Sequence, residues 1–189
     1  MDNTSIIVLA AGSSDRFKGV PKYGLEFNGK PLIHRTGEMF PGALLYDKPS
    51  CPNSVCTCDT FQMTRNRWDE RTIILLGDVY YTEVACHTIL NCEDTNPVFF
   101  TDRRDIFALL FHRKSWLTLT MAAMKAILSN RNNGRLWELY RKLLNLGDSD
   151  VLPHKDHLCH LIDDITQDFD EPEEYTDFLN GKYKNKIHG

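Results

Sequence analysis

Residues 5–33 read SIIVLAAGSSDRFKGVPKYGLEFNGKPLI. Ile6-Ile7-Val8-Leu9 is a short apolar, β-branched run, the composition of a buried strand. Ala10-Ala11-Gly12-Ser13-Ser14 follows, and its small side chains leave backbone N–H groups free to face an anion. Arg16 and Lys22 come next, two cations placed just after that turn. A strand feeding a small-residue turn presents peptide dipoles and N–H donors to phosphate. The spacing is neither that of a Walker loop nor that of Gly-x-Gly-x-x-Gly.

Leu9-Ala10-Ala11-Gly12, Arg16-Phe17, Pro21-Lys22 and Gly29-Lys30-Pro31-Leu32-Ile33, in that order, resemble the signature of the nucleotidyltransferases with a nucleotide-diphospho-sugar transferase (GT-A-like) fold. That superfamily includes sugar-1-phosphate nucleotidyltransferases, cytidylyltransferases and molybdenum-cofactor nucleotidyltransferases. Ser14 departs from the Gly that many members carry there, and Gly24 stands where an apolar residue is usual. The resemblance implies an α/β fold: a Rossmann-like, GT-A-type domain with a mixed, mostly parallel central sheet flanked by helices.

Two further stretches extend it. Ile73-Ile74-Leu75-Leu76 reads as a strand buried on both faces, and Gly77-Asp78 stands where it ends. Open α/β sheets bind ligands beyond the carboxyl ends of their strands, so Asp78 is expected at the same end as the first turn. The resemblance implies that Asp78 binds the divalent metal bridging the nucleotide phosphates, with Gly77 beside the nucleotide. Near the C-terminus a strand-like segment leads into Asp170, and Glu171-Pro172-Glu173-Glu174 opens a helix with its acids in the first turn, where the dipole favours them. The resemblance makes Asp170 the second metal-binding carboxylate, with Asp168 as the alternative.

Elsewhere the pattern places helices at 32–39, 60–68, 83–90, 116–128 and 136–146, with Pro31 at the first helical position. Val84, His87 and Ile89-Leu90 form the expected apolar side of the third. Strands are expected at 43–46, 98–100 and 106–111, with Asp102 to Asp105 as a turn between the last two. Trp137 and Arg141 are placed to shape a substrate pocket.

At 189 residues the expectation is one domain over 1–189, with a nucleotide-binding half at about 1–95 and an acceptor-binding half at about 96–189. A net charge of −4 argues against a nucleic-acid partner. No run of about eighteen apolar residues predicts a membrane span. The start, Met-Asp-Asn-Thr-Ser, lacks the basic residues of a secretory signal, so a cytoplasmic address is expected. The cysteines read as reduced thiols. Cys51-x4-Cys56-x-Cys58 matches no common zinc spacing, and the tract His154, His157, Cys159, His160 lacks a second regularly spaced ligand pair.

The reaction implied is Mg²⁺-dependent nucleotidyl transfer from a nucleoside triphosphate to a small phosphorylated acceptor, with release of pyrophosphate. Arg16 is assigned to the β- and γ-phosphates and Lys22 to the α-phosphate. Leu9, Ala10, Ala11, Gly12, Ser13, Ser14 and Gly77 are assigned to the nucleotide, and Asp78 and Asp170 to Mg²⁺. The Ala-Ala-Gly-Ser-Ser turn leans the reading towards CTP; the acceptor and the oligomeric state stay open. One rival is a GT-A-like glycosyltransferase, for which Asp148-Ser149-Asp150 resembles an Asp-x-Asp metal motif. Another is an inactive nucleotide-binding regulator. Pyrophosphate release separates all three.

Overall fold

Apolar strand residues alternate between two layers of helices, and that alternation builds the core. The computed structural model describes residues 3–12, 17, 20–102, 104–129, 134–147 and 157–182. The first strands of the central sheet are β1 (Thr4–Ala10), β4 (Leu44–Asp47) and β5 (Arg71–Leu76). Then come β7 (Val98–Thr101), β8 (Ile106–His112) and β9 (Cys159–Leu161). Their order is β4-β1-β5-β8-β7-β9. The pairs β4/β1, β1/β5 and β7/β9 are parallel, and β8 runs antiparallel to both its neighbours. This is the mixed, mostly parallel sheet expected from the sequence.

Successive strand residues face opposite sides. Ile7, Ile74, Phe99, Leu109 and Phe111 meet α2 (Thr57–Met63), α4 (Trp116–Ser129) and α5 (Leu136–Leu143) on one face. Val8, Ile73, Leu75, Phe100 and Leu110 meet α3 (Glu83–Leu90) and the end of α1 (Leu32–Met39) on the other. The central strands therefore read as continuous apolar runs because both of their faces are covered.

Several local expectations shift. Pro31 is the last residue before α1, in extended backbone at φ −55°, ψ 143°; it closes the short hairpin β2 (Glu26–Phe27)/β3 (Lys30–Pro31). Asn28 and Gly29 both have positive φ, 53° and 75°, as a two-residue hairpin turn of the right twist requires. The helix expected over 60–68 starts at Thr57, ends at Met63 and continues as a 3-10 turn over Arg65–Arg67. α5 stops at Leu143, and Asn145 takes the left-handed conformation, φ 55°, that ends helices. On α3 the buried side is Ala85, Cys86 and Ile89. Val84 is 67% exposed and His87 is exposed, because small residues let α3 lie close on the sheet where Val84 would hold it off. All six cysteines are free thiols. Among the described residues no helix is long and apolar enough to cross a membrane.

Gly77 closes β5 against β1. Its N–H donates to the Leu9 carbonyl at 2.9 Å, and a Cβ there would stand 2.8 Å from the Ala10 Cβ and 3.2 Å from the Leu9 oxygen. Tyr81 braces the same end: its hydroxyl donates to the Phe107 carbonyl at 2.6 Å and accepts from the Leu76 N–H at 3.0 Å. Gly77→Ala is expected to cost about 1–3 kcal/mol in urea unfolding through overpacking; an unchanged midpoint would contradict this close approach.

Candidate active site

Asp78 and Asp170 stand far apart in sequence, and a two-stranded ladder joins them. β6 (Val79–Tyr80) pairs antiparallel with β10 (Gln167–Asp168), Asp168 opposite Val79 and Gln167 opposite Tyr80. The extended backbone then sorts the side chains. Asp168 and Asp170 turn to the cleft, whereas Phe169 between them is fully buried against Phe27, Leu25, Leu32 and Phe17. Phe27 stacks on Phe169 at 5.5 Å between centroids and contacts Tyr80 at 5.1 Å and Tyr175 at 5.2 Å. This aromatic cluster also carries the 3-10 turn Lys22–Gly24, which delivers Lys22. Behind Asp170, α6 (Pro172–Leu179) begins with a reciprocal capping box between Glu171 and Glu174, and the Asp170 N–H donates to Glu174 at 2.8 Å.

The Lys22 Nζ lies 3.1 Å from Asp170 Oδ1, 3.4 Å from Asp78 Oδ2 and 3.9 Å from Asp168 Oδ1. Burial alone would push the Lys22 ammonium down, but the carboxylates of Asp78, Asp168 and Asp170 outweigh it and hold its pKa above the usual lysine value. Asp168 goes the other way. Burial first, then the charge of Asp78, lifts its carboxyl well above the usual range against the pull of Lys22. Its Oδ1 is buried and accepts no hydrogen bond among the described residues. Asp105 joins from the start of β8, its pKa raised to about 6 by burial and by the neighbouring Asp102 and Asp170.

Carboxylate oxygens of Asp105, Asp168 and Asp170 all lie within 4.8 Å of one another. Hard oxygen donors at this spacing, one of them a buried oxygen that accepts no hydrogen bond among the described residues, suit a divalent cation of the Mg²⁺ type.

The cleft has a volume of about 350 Å³. Leu9, Ala10, Ala11 and Gly12 form one wall, at the carboxyl ends of β1 and β5. Val55, Cys56, Thr57, Thr60 and the Gly134–Leu136 stretch form a second. Ile106, Asp105 and Trp137 close the far side. Trp137 is held by its indole N–H, which donates to the Arg104 carbonyl at 2.7 Å. Gly134 allows the second wall to close, since a Cβ there would meet the Cys56 sulfur at 2.5 Å.

Of the residues singled out in the sequence, Leu9 to Gly12, Lys22, Asp78 and Asp170 share this cleft. Gly77 supports it from behind, packed on Ala10. Ser13, Ser14 and Arg16 lie outside the described residues, as do Asp148–Asp150, His154 and the basic tail. Arg141 pairs with Glu138 at 3.9 Å and donates to the Gly147 carbonyl at 2.9 Å; it does not line the cleft. Asp105 was not among the sequence candidates. Its place follows from the topology: an acid just before a strand antiparallel to β5 falls at the same sheet edge as Asp78.

The fold these elements build is that of the nucleotidyltransferases with a GT-A-like domain. The inositol-1-phosphate CTP transferase of T. maritima superposes with a TM-score of 0.59 over 100% of this chain and 97% of that one, at 11% identity. The CTP:phosphocholine cytidylyltransferase of Streptococcus pneumoniae gives 0.59 over 95% and 99%, at 15% identity. A nucleoside-diphosphate-sugar pyrophosphorylase of Vibrio cholerae gives 0.57 over 93% and 100%, at 15% identity. Sequence comparison finds no matching family model and no matching curated protein.

The raised pKa of Asp105 has a thermodynamic consequence. A carboxyl whose folded pKa lies above its unfolded value contributes stability below about pH 4 that is lost as pH rises through about 6. In metal-free buffer Asp105→Asn is expected to melt above wild type at pH 7, with the gap closing towards pH 4. A gap equal at both pH values would contradict this placement of Asp105.

Proposed function

We propose that the chain is a divalent-metal-dependent nucleotidyltransferase that moves a nucleoside monophosphate group from a nucleoside triphosphate to a small phosphorylated acceptor. The observation that carries this reading is the convergence of Lys22 with Asp78, Asp168 and Asp170 beside the Leu9–Gly12 turn. An acceptor phosphate oxygen attacks the α-phosphorus. A new P–O bond forms, the bond to the bridging oxygen breaks, and pyrophosphate leaves. No protein nucleophile is needed.

The difficulty is charge, because one anion must approach another. Lys22 neutralises the α-phosphate region and the charge growing on its oxygens, and Arg16 takes the β- and γ-phosphates. The backbone from Leu9 to Ser14 holds the nucleotide. Asp78 and Asp170 would hold Mg²⁺, with Asp168 and Asp105 beside Asp170. When bound, the cation supplies charge neutralisation and alignment of the phosphates. The acceptor enters on the side of Asp105, Ile106 and Trp137, so residues of about 96–189 serve the acceptor and those of about 1–95 the nucleotide. CTP is the first nucleotide to test, on the Ala-Ala-Gly-Ser-Ser turn and on two structural relatives whose names carry CTP. The proposal places this chemistry in the cytoplasm, where triphosphates are abundant.

The test is pyrophosphate release from each nucleoside triphosphate with Mg²⁺ and a panel of phosphorylated alcohols and sugar phosphates. One triphosphate–acceptor pair is expected to turn over. Lys22→Ala is expected to lower kcat/KM by about 10²–10³-fold, the size seen when one electrostatic group is removed from a transition state. Pyrophosphate silence, with a nucleoside diphosphate released from a nucleotide sugar, would replace the proposal by a glycosyltransferase.

A further inference from the structure

Asp105 is half-buried on the far side of the cleft, and among the described residues no cation pairs with its carboxylate. Lys22 is engaged by Asp78, Asp168 and Asp170. Arg104, next to Asp105 in the chain, turns to Asp102 at 3.2 Å. Arg135 stands exposed on the second wall. Lys22 and one divalent cation carry three positive charges against the four carboxylates of Asp78, Asp105, Asp168 and Asp170, and a bound triphosphate adds negative charge. A carboxylate taken out of water without a counter-charge is costly, so a cation brought by a ligand is favoured at Asp105.

The side chains around it say what kind of cation. Trp137 and Ile106 line the cleft beside Asp105, and Leu136 borders them. The Trp137 N–H is already given to the Arg104 carbonyl at 2.7 Å, and Tyr140 packs edge-on against its ring at 5.6 Å. The indole is therefore fixed in place and offers the cleft aromatic surface, with no hydrogen bond left to donate. A metal ion takes hard oxygen ligands and gains nothing from Ile106 or Trp137. An alkylammonium gains from both, because its charge is drawn to the indole and its methylenes or methyls lie on apolar surface. A sugar ring fits worse. Each of its hydroxyls needs a partner once buried, and among these four residues only Asp105 offers a free polar side-chain atom.

From this juxtaposition we infer that the acceptor is the phosphate ester of an amino alcohol, its ammonium held by Asp105 beside Trp137 and its phosphate turned to Lys22. The inference rests on the nucleotidyl transfer proposed above and names the acceptor of that reaction. A two-carbon amino alcohol sets its nitrogen and phosphorus about 5 Å apart, from single bonds near 1.5 Å. That reach matches the cleft, where carboxylate oxygens of Asp105 and Asp170 lie within 4.8 Å of one another and Asp170 is 3.1 Å from the Lys22 Nζ. Asp105 and Trp137 are on this account the residues that set acceptor specificity.

Choline phosphate and its uncharged isostere 3,3-dimethylbutyl phosphate share a shape and differ by one positive charge. The test compares these two and glucose 1-phosphate as acceptors in pyrophosphate release from each nucleoside triphosphate with Mg²⁺, and as ligands titrated calorimetrically into the protein with Mg²⁺. Choline phosphate is expected to lead its isostere by about ten- to a hundredfold in kcat/KM and in Kd, the size expected for a desolvated cation beside an acid and an indole. Asp105→Asn is expected to shrink that ratio to about threefold or less, and Trp137→Leu to lower it in the same direction, each with an unchanged far-UV CD spectrum. Equal use of the two esters, or a preference for glucose 1-phosphate, would overturn the inference and leave the reaction standing. A folded Asp105→Asn that keeps the ratio and weakens Mg²⁺-dependent CTP binding would make Asp105 a metal ligand and overturn it too. Pyrophosphate from no pair would remove the reaction, and the titration alone then decides: a preference for choline phosphate keeps the cation site, and no preference ends it.

Discussion

One ammonium group stands among three carboxylates, and a fourth carboxylate is close by. Unit charges 4–5 Å apart at an effective dielectric near 20 repel by about 3–4 kcal/mol, so each excess negative charge in such a group calls for a proton, an ammonium or a metal ion. The chain answers in part with Lys22, and the remaining crowding together with burial raises the carboxyl pKa of Asp168 and Asp105. Carboxylates crowded at this cost make sense where a polyanion and its counter-cation are to be bound, because the cation removes the repulsion that the fold enforces.

The fold enforces it with few parts. Lys22 and Asp170 are separated by 148 positions and meet at 3.1 Å. Three elements hold them there: the ladder of β6 with β10, the aromatic cluster around Phe27 and Phe169, and the capping box that starts α6. Each lies at the carboxyl edge of the sheet, where Gly77 lets β5 close on β1 and Tyr81 ties β5 to β8. The apolar layers behind that edge pack both faces of the sheet, and that packing fixes the elements that carry the charged groups.

Much of this was legible in the sequence, for identifiable reasons. Ile73 to Leu76 ran apolar without alternation because β5 is covered on both faces, and Asp78 followed it directly. The Asn28-Gly29 turn and the Pro172 helix start are set by local chemistry that needs no tertiary context. What escaped depends on long-range contacts. Asp105 reads as one acid of a hairpin until β8 is known to run antiparallel to β5, which carries it to the site. On α3 Ile89 and Leu90 pack as expected, but Val84 and His87 face outward and Ala85 and Cys86 take the sheet side. Arg141 lies on the same helix as Trp137 but is satisfied locally by Glu138 and the Gly147 carbonyl.

The central claim is that the carboxylates around Lys22 form a site for a metal-bound triphosphate. Calorimetric titration of CTP into the protein, with Mg²⁺ or with EDTA, for wild type and for Asp168→Asn/Asp170→Asn, tests it most directly. The expected result is binding by wild type that requires Mg²⁺ and is lost in the double variant while the fold persists by CD. Equal binding with and without the metal, or binding untouched by the double substitution, would contradict it.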